Sequence, residues 1–224
     1  MVPAAPAAWS NVSNPKKWAW DAVPTLPPFI CADGKQTAVY ATTTRVCADR
    51  HRLYVRFDCE DNDIWGNYTQ RDEPIYDEEV VELFLAPSAD APTHYYEFEV
   101  SPNGVLFDAK ISNATPNRAD IIVQSEWDCE GIEWWAERCD AGNWWTAVLI
   151  IPWTAVAPLG SFPTVWRANF YRIERPRGQE PEYSCWSPTY TEPADFHKPQ
   201  HFGYLHLEPS EMPSFRKDGI SLLK

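Results

Sequence analysis

The sequence predicts an all-β fold, a two-sheet antiparallel β-sandwich of about eleven strands with at most one short helix. Three observations lead there. Eleven short runs rich in β-branched and aromatic residues follow one another, separated by turn residues. Proline supplies 21 of 224 residues, about twice its usual share of roughly 5%, which suits turns and sheet edges rather than long helices. The apolar fraction of 44% demands a sizeable core, and short antiparallel strands can enclose one only by stacking in two layers.

The elements follow in order. Residues 1–30 are rich in Pro and Ala with little periodicity, and should wrap a surface, pinned by Trp18 and Trp20. Residues 31–208 carry the sandwich. Its first strands are "QTAVYATTTRV" and "RLYVRFD", followed by "EVVELFLA", "HYYEFEV" and "GVLFDAKI". Asn103-Gly104 marks a tight turn before the last of these, because both residues readily take positive φ. "ADIIVQSEW", "GIEWWAERC" and "NWWTAVLIIP" come next, with another turn expected at "AGNWW". The short helix belongs after Pro152, in "PWTAVAP". "TVWRANFYRI", "YSCWSPT" and "FGYLHLE" complete the set, and residues 209–224 form a polar tail with a small apolar end.

Composition narrows the function. A net charge of −13 without basic clusters repels phosphate backbones and anionic lipid, so nucleic acid and membrane surfaces are excluded as partners. No window of ~18 apolar residues is present to span a bilayer. The start, "MVPAAPAAWS", lacks the basic-then-apolar pattern of an intact secretory signal. The chain therefore reads as extracellular or periplasmic with its signal absent, or as cytoplasmic. Six cysteines occur and none forms a Cys-x-x-Cys pair, which removes zinc-ribbon and thioredoxin readings. They are either buried thiols or disulfides, with Cys31–Cys47 and Cys129–Cys139 as the local pairs.

Period-2 parity then separates the faces of the strands. In "HYYEFEV", Tyr96, Phe98 and Val100 share one face while Glu97 and Glu99 share the other. In "EVVELFLA", Glu82 lies between Val80 and Phe84, so a carboxylate shares a face with apolar groups. In "TVWRANFYRI", Trp166, Ala168 and Phe170 oppose Arg167, Asn169 and Tyr171. Such a face is either an ordinary wetted sheet surface, with Glu82 and Glu97 paired to Arg167 and Arg172, or a binding surface.

The ordered set "RLYVRFDCEDNDIW…TQRDEPIYDEEVVELFLAP", "YYEFEVSPNGVLFD", "WRANFYRIE" and "YSCWSPTYTEPADFHKPQHFGYLHL" resembles the carbohydrate-binding module family nine-like proteins of the wider DOMON-like β-sandwich group. The resemblance covers roughly residues 30–207. It implies a non-catalytic sandwich that binds a terminal or accessible sugar of a plant-type glycan, a cello-, xylo- or manno-oligosaccharide, beside a polysaccharide-degrading enzyme. By motif position it implies Trp65 and Trp186 as the two walls around the sugar, with Arg71, Glu82, Glu97 and Asn169 at its rim. The family's founding members carry an amide shortly before the second tryptophan, where this chain has Tyr183. They also bind structural calcium, for which Asp58, Asp61 and Asp63 are the candidate ligands; no other cofactor is called for.

The chemistry is consistent with that reading. Flat indoles bury the C–H faces of a pyranose. Selection then comes from hydroxyl contacts: the guanidinium fork of Arg71, the charged acceptors Glu82 and Glu97, and the amide of Asn169. Three rival readings are a glycoside hydrolase built on paired carboxylates, a haem-binding electron-transfer domain and a protein-binding adhesion module. Met1 and Met212 lie at the chain ends, which leaves histidines for haem. His197 and His201 read more simply as loop packing.

Overall fold

The computed structural model describes residues 1–6, 9, 18–115, 117–157 and 162–207. The expected polar tail, 209–224, lies outside these, as does part of the N-terminal segment. Twelve strands occur among the described residues: β1 (Ile30–Cys31), β2 (Thr42–Ala48), β3 (Arg52–Glu60), β4 (Val80–Ala86), β5 (His94–Val100), β6 (Leu106–Ser112), β7 (Ile122–Gln124), β8 (Glu133–Cys139), β9 (Trp144–Pro152), β10 (Val165–Glu174), β11 (Glu182–Cys185) and β12 (Gly203–His206). Among the described residues one α-helical turn occurs, α1 (Trp153–Val156), and it follows Pro152 as the sequence predicts.

Two antiparallel sheets result. The larger runs β1-β11-β10-β4-β5-β6-β7, with β12 pairing the start of β10; the smaller runs β2-β3-β9-β8. The two expected turns form with the backbone they need: Gly104 has φ +78° and Asn143 has φ +57°.

Strand parity decides what each face buries. Val81, Leu83, Leu85, Phe98, Val100 and Phe170 from the larger sheet meet Val55, Phe57, Ala147 and Leu149 from the smaller one in the inter-sheet core. Alternation sends the intervening residues outward. On the smaller sheet this outer face carries Tyr54, Val148 and Ile150, and the N-terminal segment covers it with Trp9 and Trp20. Trp9 stacks on Trp18 at 4.6 Å and meets Tyr54 edge-on at 5.5 Å. The tryptophans that lead the chain are thus a clasp over a sheet.

The outer face of the larger sheet carries Phe84, Tyr95, Phe107, Tyr171 and Ile173. The segment from Trp186 to Phe202 folds back over part of it, placing Phe196 flat on Tyr171 at 4.3 Å and Phe202 edge-on to Tyr95. The remainder of this face stays open. All six cysteines are free thiols, so neither expected disulfide forms. Cys47, Cys59, Cys129 and Cys185 are buried; burial pushes the Cys59, Cys129 and Cys185 thiols up to about 12, the range of an inert core residue.

Candidate functional site

A cavity of about 590 Å³ opens on the uncovered part of the larger sheet's outer face. Its floor is acidic. Glu82 on β4 and Glu99 on β5 are directly opposed in the strand register, and Glu97 lies two residues along on the same face. The three are 2%, 1% and 5% exposed, and one oxygen from each lies within 4.8 Å of the others. Burial is the main reason the Glu97 carboxyl is pushed up to about 7, and burial with the charge of its neighbours raises Glu82 and Glu99 well above the carboxylate range.

Two tyrosines line the same cavity. Tyr76 projects from the single turn Ile75–Asp77, is 41% exposed, and braces its ring edge-on against Phe107 at 5.6 Å. Burial, then the charges of Glu99, Asp77 and Glu97, raise its phenol. Tyr183, on β11, meets Phe196 edge-on and accepts a 2.9 Å hydrogen bond from Arg175 Nη2 at its hydroxyl. Arg175, Arg118 and His197 complete the rim. Arg118 pairs with Asp195. His197 shares a 2.7 Å hydrogen bond between Nδ1 and the Tyr95 hydroxyl and packs on Phe84 at 5.1 Å; burial holds its imidazole down to about 4. It packs in a loop, as read from the sequence, and also faces the cavity.

The structure brings two of the six expected sugar contacts, Glu82 and Glu97, to this cavity. The expected structural partners Arg167 and Arg172 do not neutralise them. Arg167 donates to the Phe202 carbonyl, and Arg172 bonds Asp61 and Glu174 on the opposite face of β10.

The other four are used elsewhere. Trp65 is half-buried; its indole donates to the Arg175 carbonyl and its backbone N–H to Glu79. Trp186 lies on the inner face, edge-on to Phe170 at 5.7 Å and over Gly203, where an added Cβ would sit 2.2 Å from the ring. Its backbone N–H donates to the Phe170 carbonyl. The anchors of these two tryptophans are thus five residues apart along one strand, about 16 Å at 3.3 Å per residue. Stacking on both faces of one sugar needs contacts of about 3.5–4.0 Å on each side, so the two indoles are not brought together around a ring. Arg71 forks onto Asp108, also pairs with Asp128 and lies over Trp134. Asn169 is fully buried and clamps Ser187, donating to its carbonyl and accepting from its N–H.

The candidate calcium ligands do not form one cradle either. Asp58 points from the outer face of the smaller sheet to Arg45, Arg56 and Thr146. Asp63 holds Arg177. Asp61 is buried with Glu79 and Glu174, with the Arg172 guanidinium on Asp61 and Glu174 and the Trp145 indole N–H donating to Asp61. Each of the three aspartates already has a cationic partner, so they do not fit a calcium ion held between them.

Sequence reasoning passed over Tyr76, Glu99 and Arg175, and met Tyr183 only as a departure from a motif. Parity placed Glu99 beside Glu97, and that was the available signal. Tyr76 gave none, because a single 3₁₀ turn has no periodicity.

A two-sheet sandwich with an aromatic, acid-floored cavity on one outer face has the form of a sugar-binding module, and the comparisons with known proteins agree. Residues 37–207 match the family model described as carbohydrate-binding family 9, and the chain belongs to that family. It is 28% identical over 207 residues to an extracellular protein of Arthroderma benhamiae, covering 88% of this chain and 85% of that one. The fold is similar to a family 9 module of Caldicellulosiruptor kristjanssonii in complex with glucose (TM-score 0.63, 15% identity, 97% of each chain). It is also similar to such a module from the same organism with cellotriose (TM-score 0.58, 14% identity, 92% of this chain and 90% of that one). A candidate carbohydrate-binding protein of Bacteroides uniformis superposes with a TM-score of 0.67 at 21% identity, over 84% of this chain and 88% of that one.

Proposed function

We propose that the outer-face cavity binds a gluco-configured segment of a cello-type glycan over Glu82 and Glu97, with Tyr76 at one side of the cavity and Tyr183 at the other. The observation that carries this is one open cavity of about 590 Å³ lined by two tyrosines and floored by buried acids, a size that suits an oligosaccharide segment. The tyrosine rings supply apolar faces for the C–H surface of the sugar, and at about 25 cal/mol per Å² two such contacts contribute a few kcal/mol. The carboxyl groups and Arg175 take the hydroxyls. The family 9 complexes with glucose and cellotriose support the choice of sugar.

Binding without hydrolysis fits this geometry better than catalysis. A glycosidase places its two carboxyl groups on either side of the scissile bond, about 5–5.5 Å apart for retention. Here the three acids are neighbours on one floor, beneath the same face of any ligand. The relative described as an extracellular protein supports a position outside the cytoplasm.

Calorimetric titration with glucose, cellobiose and cellotriose, alongside xylo- and manno-oligosaccharides, tests the reading. Micromolar to millimolar affinity for the cello series is expected. The absence of heat with every sugar, from folded protein with and without calcium, would remove it.

A further inference from the structure

A second cavity, of about 270 Å³, adjoins the first, and Arg118 and His197 line both. The two differ in charge. The first is floored by acids, whereas among the described residues no carboxylate lines the second, and its charged groups are Arg118 and Lys198. One carboxylate, Asp195, takes both cations, Arg118 through Nη1 and Lys198 through Nζ at 2.6 Å. Asp195 lines the first cavity and Lys198 only the second. The pairing therefore holds both side chains in place and leaves one positive charge in surplus toward the second cavity. A guanidinium carries five N–H donors and an ammonium three, so both keep donors for a ligand. Asp120, on the same single turn as Arg118, accepts from Thr115 and Asn117 and stays out of the lining.

His197 adds a fixed neutral donor. Asn113 donates from Nδ2 to the Tyr95 hydroxyl and to the His197 carbonyl. Tyr95 is buried, and its hydroxyl has thereby accepted one bond, so its own proton goes to His197 Nδ1 at 2.7 Å. Were Nδ1 the donor instead, a buried phenol proton would be left unpaired. The imidazole proton consequently sits on Nε2, which has no partner among the described residues.

We propose that the second cavity is a subsite for a uronic acid, its carboxylate held by Arg118 and Lys198 and an oxygen of the same unit by His197 Nε2–H, on a glycan whose neutral part lies in the first cavity. The proposal rests on the function proposed above. A planar carboxylate matches the guanidinium fork, and one surplus positive charge matches a monoanion. At about 270 Å³ against about 590 Å³, the second cavity suits one sugar unit where the first suits a segment. The net charge of −13 gives an anion no long-range attraction, so the selection is made by contact.

The test titrates the whole chain by calorimetry with cellotriose and with two acidic counterparts, each carrying one glucuronosyl unit in place of glucosyl, at one end or the other. One of the two is expected to bind about fivefold tighter than cellotriose, the size of one partly exposed ion pair. Lys198→Met should abolish that preference and leave cellotriose affinity unchanged, since Lys198 does not line the first cavity. Arg118→Gln, read by the ratio of acidic to neutral affinity, keeps the test valid if Lys198→Met misfolds. Equal affinity for all three sugars, or a preference that survives in Lys198→Met, overturns the subsite. Methyl β-glucuronide and methyl β-glucoside, followed by NMR chemical shifts, separate this proposal from the one it rests on. If cellotriose does not bind but the glucuronide alone does, and loses its binding in Lys198→Met, the proposed function falls and the acid-binding cavity stands. If no sugar of either kind binds, both fall.

Discussion

Glu82 and Glu99 face each other across β4 and β5, on the same side of the sheet. Burial and neighbouring charge raise both carboxyl groups well above the carboxylate range, so each lowers stability as pH rises past the value at which it titrates in the unfolded chain. Replacing one of them with its neutral isostere should relieve that loss. Glu99→Gln is expected to raise unfolding stability by about 1 kcal/mol in chelator at neutral pH, measured by urea denaturation. A loss of stability would mean that the carboxyl group is satisfied by a contact other than those described.

Tyr76 and Tyr183 differ in how much structure depends on them. Tyr76 is the more exposed and, among the described residues, makes one ring contact, with Phe107. Tyr76→Ala should therefore weaken cello-oligosaccharide binding about 10–100-fold, a loss of roughly 1.5–3 kcal/mol, while the thermal midpoint falls only slightly. Tyr183→Ala should weaken binding similarly but cost more stability, because it also releases Arg175 and Phe196. Calorimetry with parallel thermal melts separates the two effects.

Trp186 should behave as a structural residue. Its ring lies over Gly203 and against Phe170. Trp186→Ala is expected to destabilise the fold by about 3–5 kcal/mol. Gly203→Ala should destabilise it too, by forcing a methyl group toward the same ring. The measurement is denaturant unfolding of both variants. Unchanged stability with lost sugar binding in Trp186→Ala would return that residue to the site.

The contrast between the tyrosines and Trp186 shows what the sequence could convey. Strand parity is a local property, so the faces of β4, β5 and β10 were legible, and with them Glu82 and Glu97. Asn103-Gly104 and Pro152 announced a turn and a helix because their backbone preferences are intrinsic. Which side of a sheet a residue takes after a strand ends is not local. Trp186 follows β11 directly and keeps its alternation, which sends it inward, whereas Tyr183 within the strand faces out to the cavity. Arg71 was equally open from sequence: its guanidinium could have served a sugar, and only the fold shows that Asp108 holds it. The acids of the Asp61–Asp63 loop read as metal ligands because nothing nearby in sequence says that Arg172 and Arg177, more than a hundred residues on, take them.

Two acidic clusters shape the pH dependence of stability: the cavity floor of Glu82, Glu97 and Glu99, all raised, and the cluster of Asp61, Glu79 and Glu174, whose raised members are Glu79 and Glu174. Burial, then the charges of Glu174 and Asp61, push Glu79 up to about 9, and burial is the largest cause holding Glu174 at about 7. In the unfolded chain both carboxyl groups titrate near 4.5. The folded state thus binds more protons than the unfolded one from about pH 4.5 upward, through 7 for Glu174 and 9 for Glu79, and stability falls as pH rises across that window. His197 acts in the opposite sense on the acid side. Its imidazole titrates at about 4 when folded and 6.5 when unfolded, so the unfolded state gains protons between those values and stability drops as pH falls through them. Thermal midpoints measured in chelator from pH 4 to 9.5 should therefore pass through a maximum on the acid side of neutrality and decline toward pH 9. Glu79→Gln should make the alkaline limb shallower, the floor acids and Glu174 supplying the rest, while leaving the acid limb in place. An alkaline limb that is unchanged in this variant would show that Glu79 is ionised in the folded protein and that Arg172 neutralises the cluster fully.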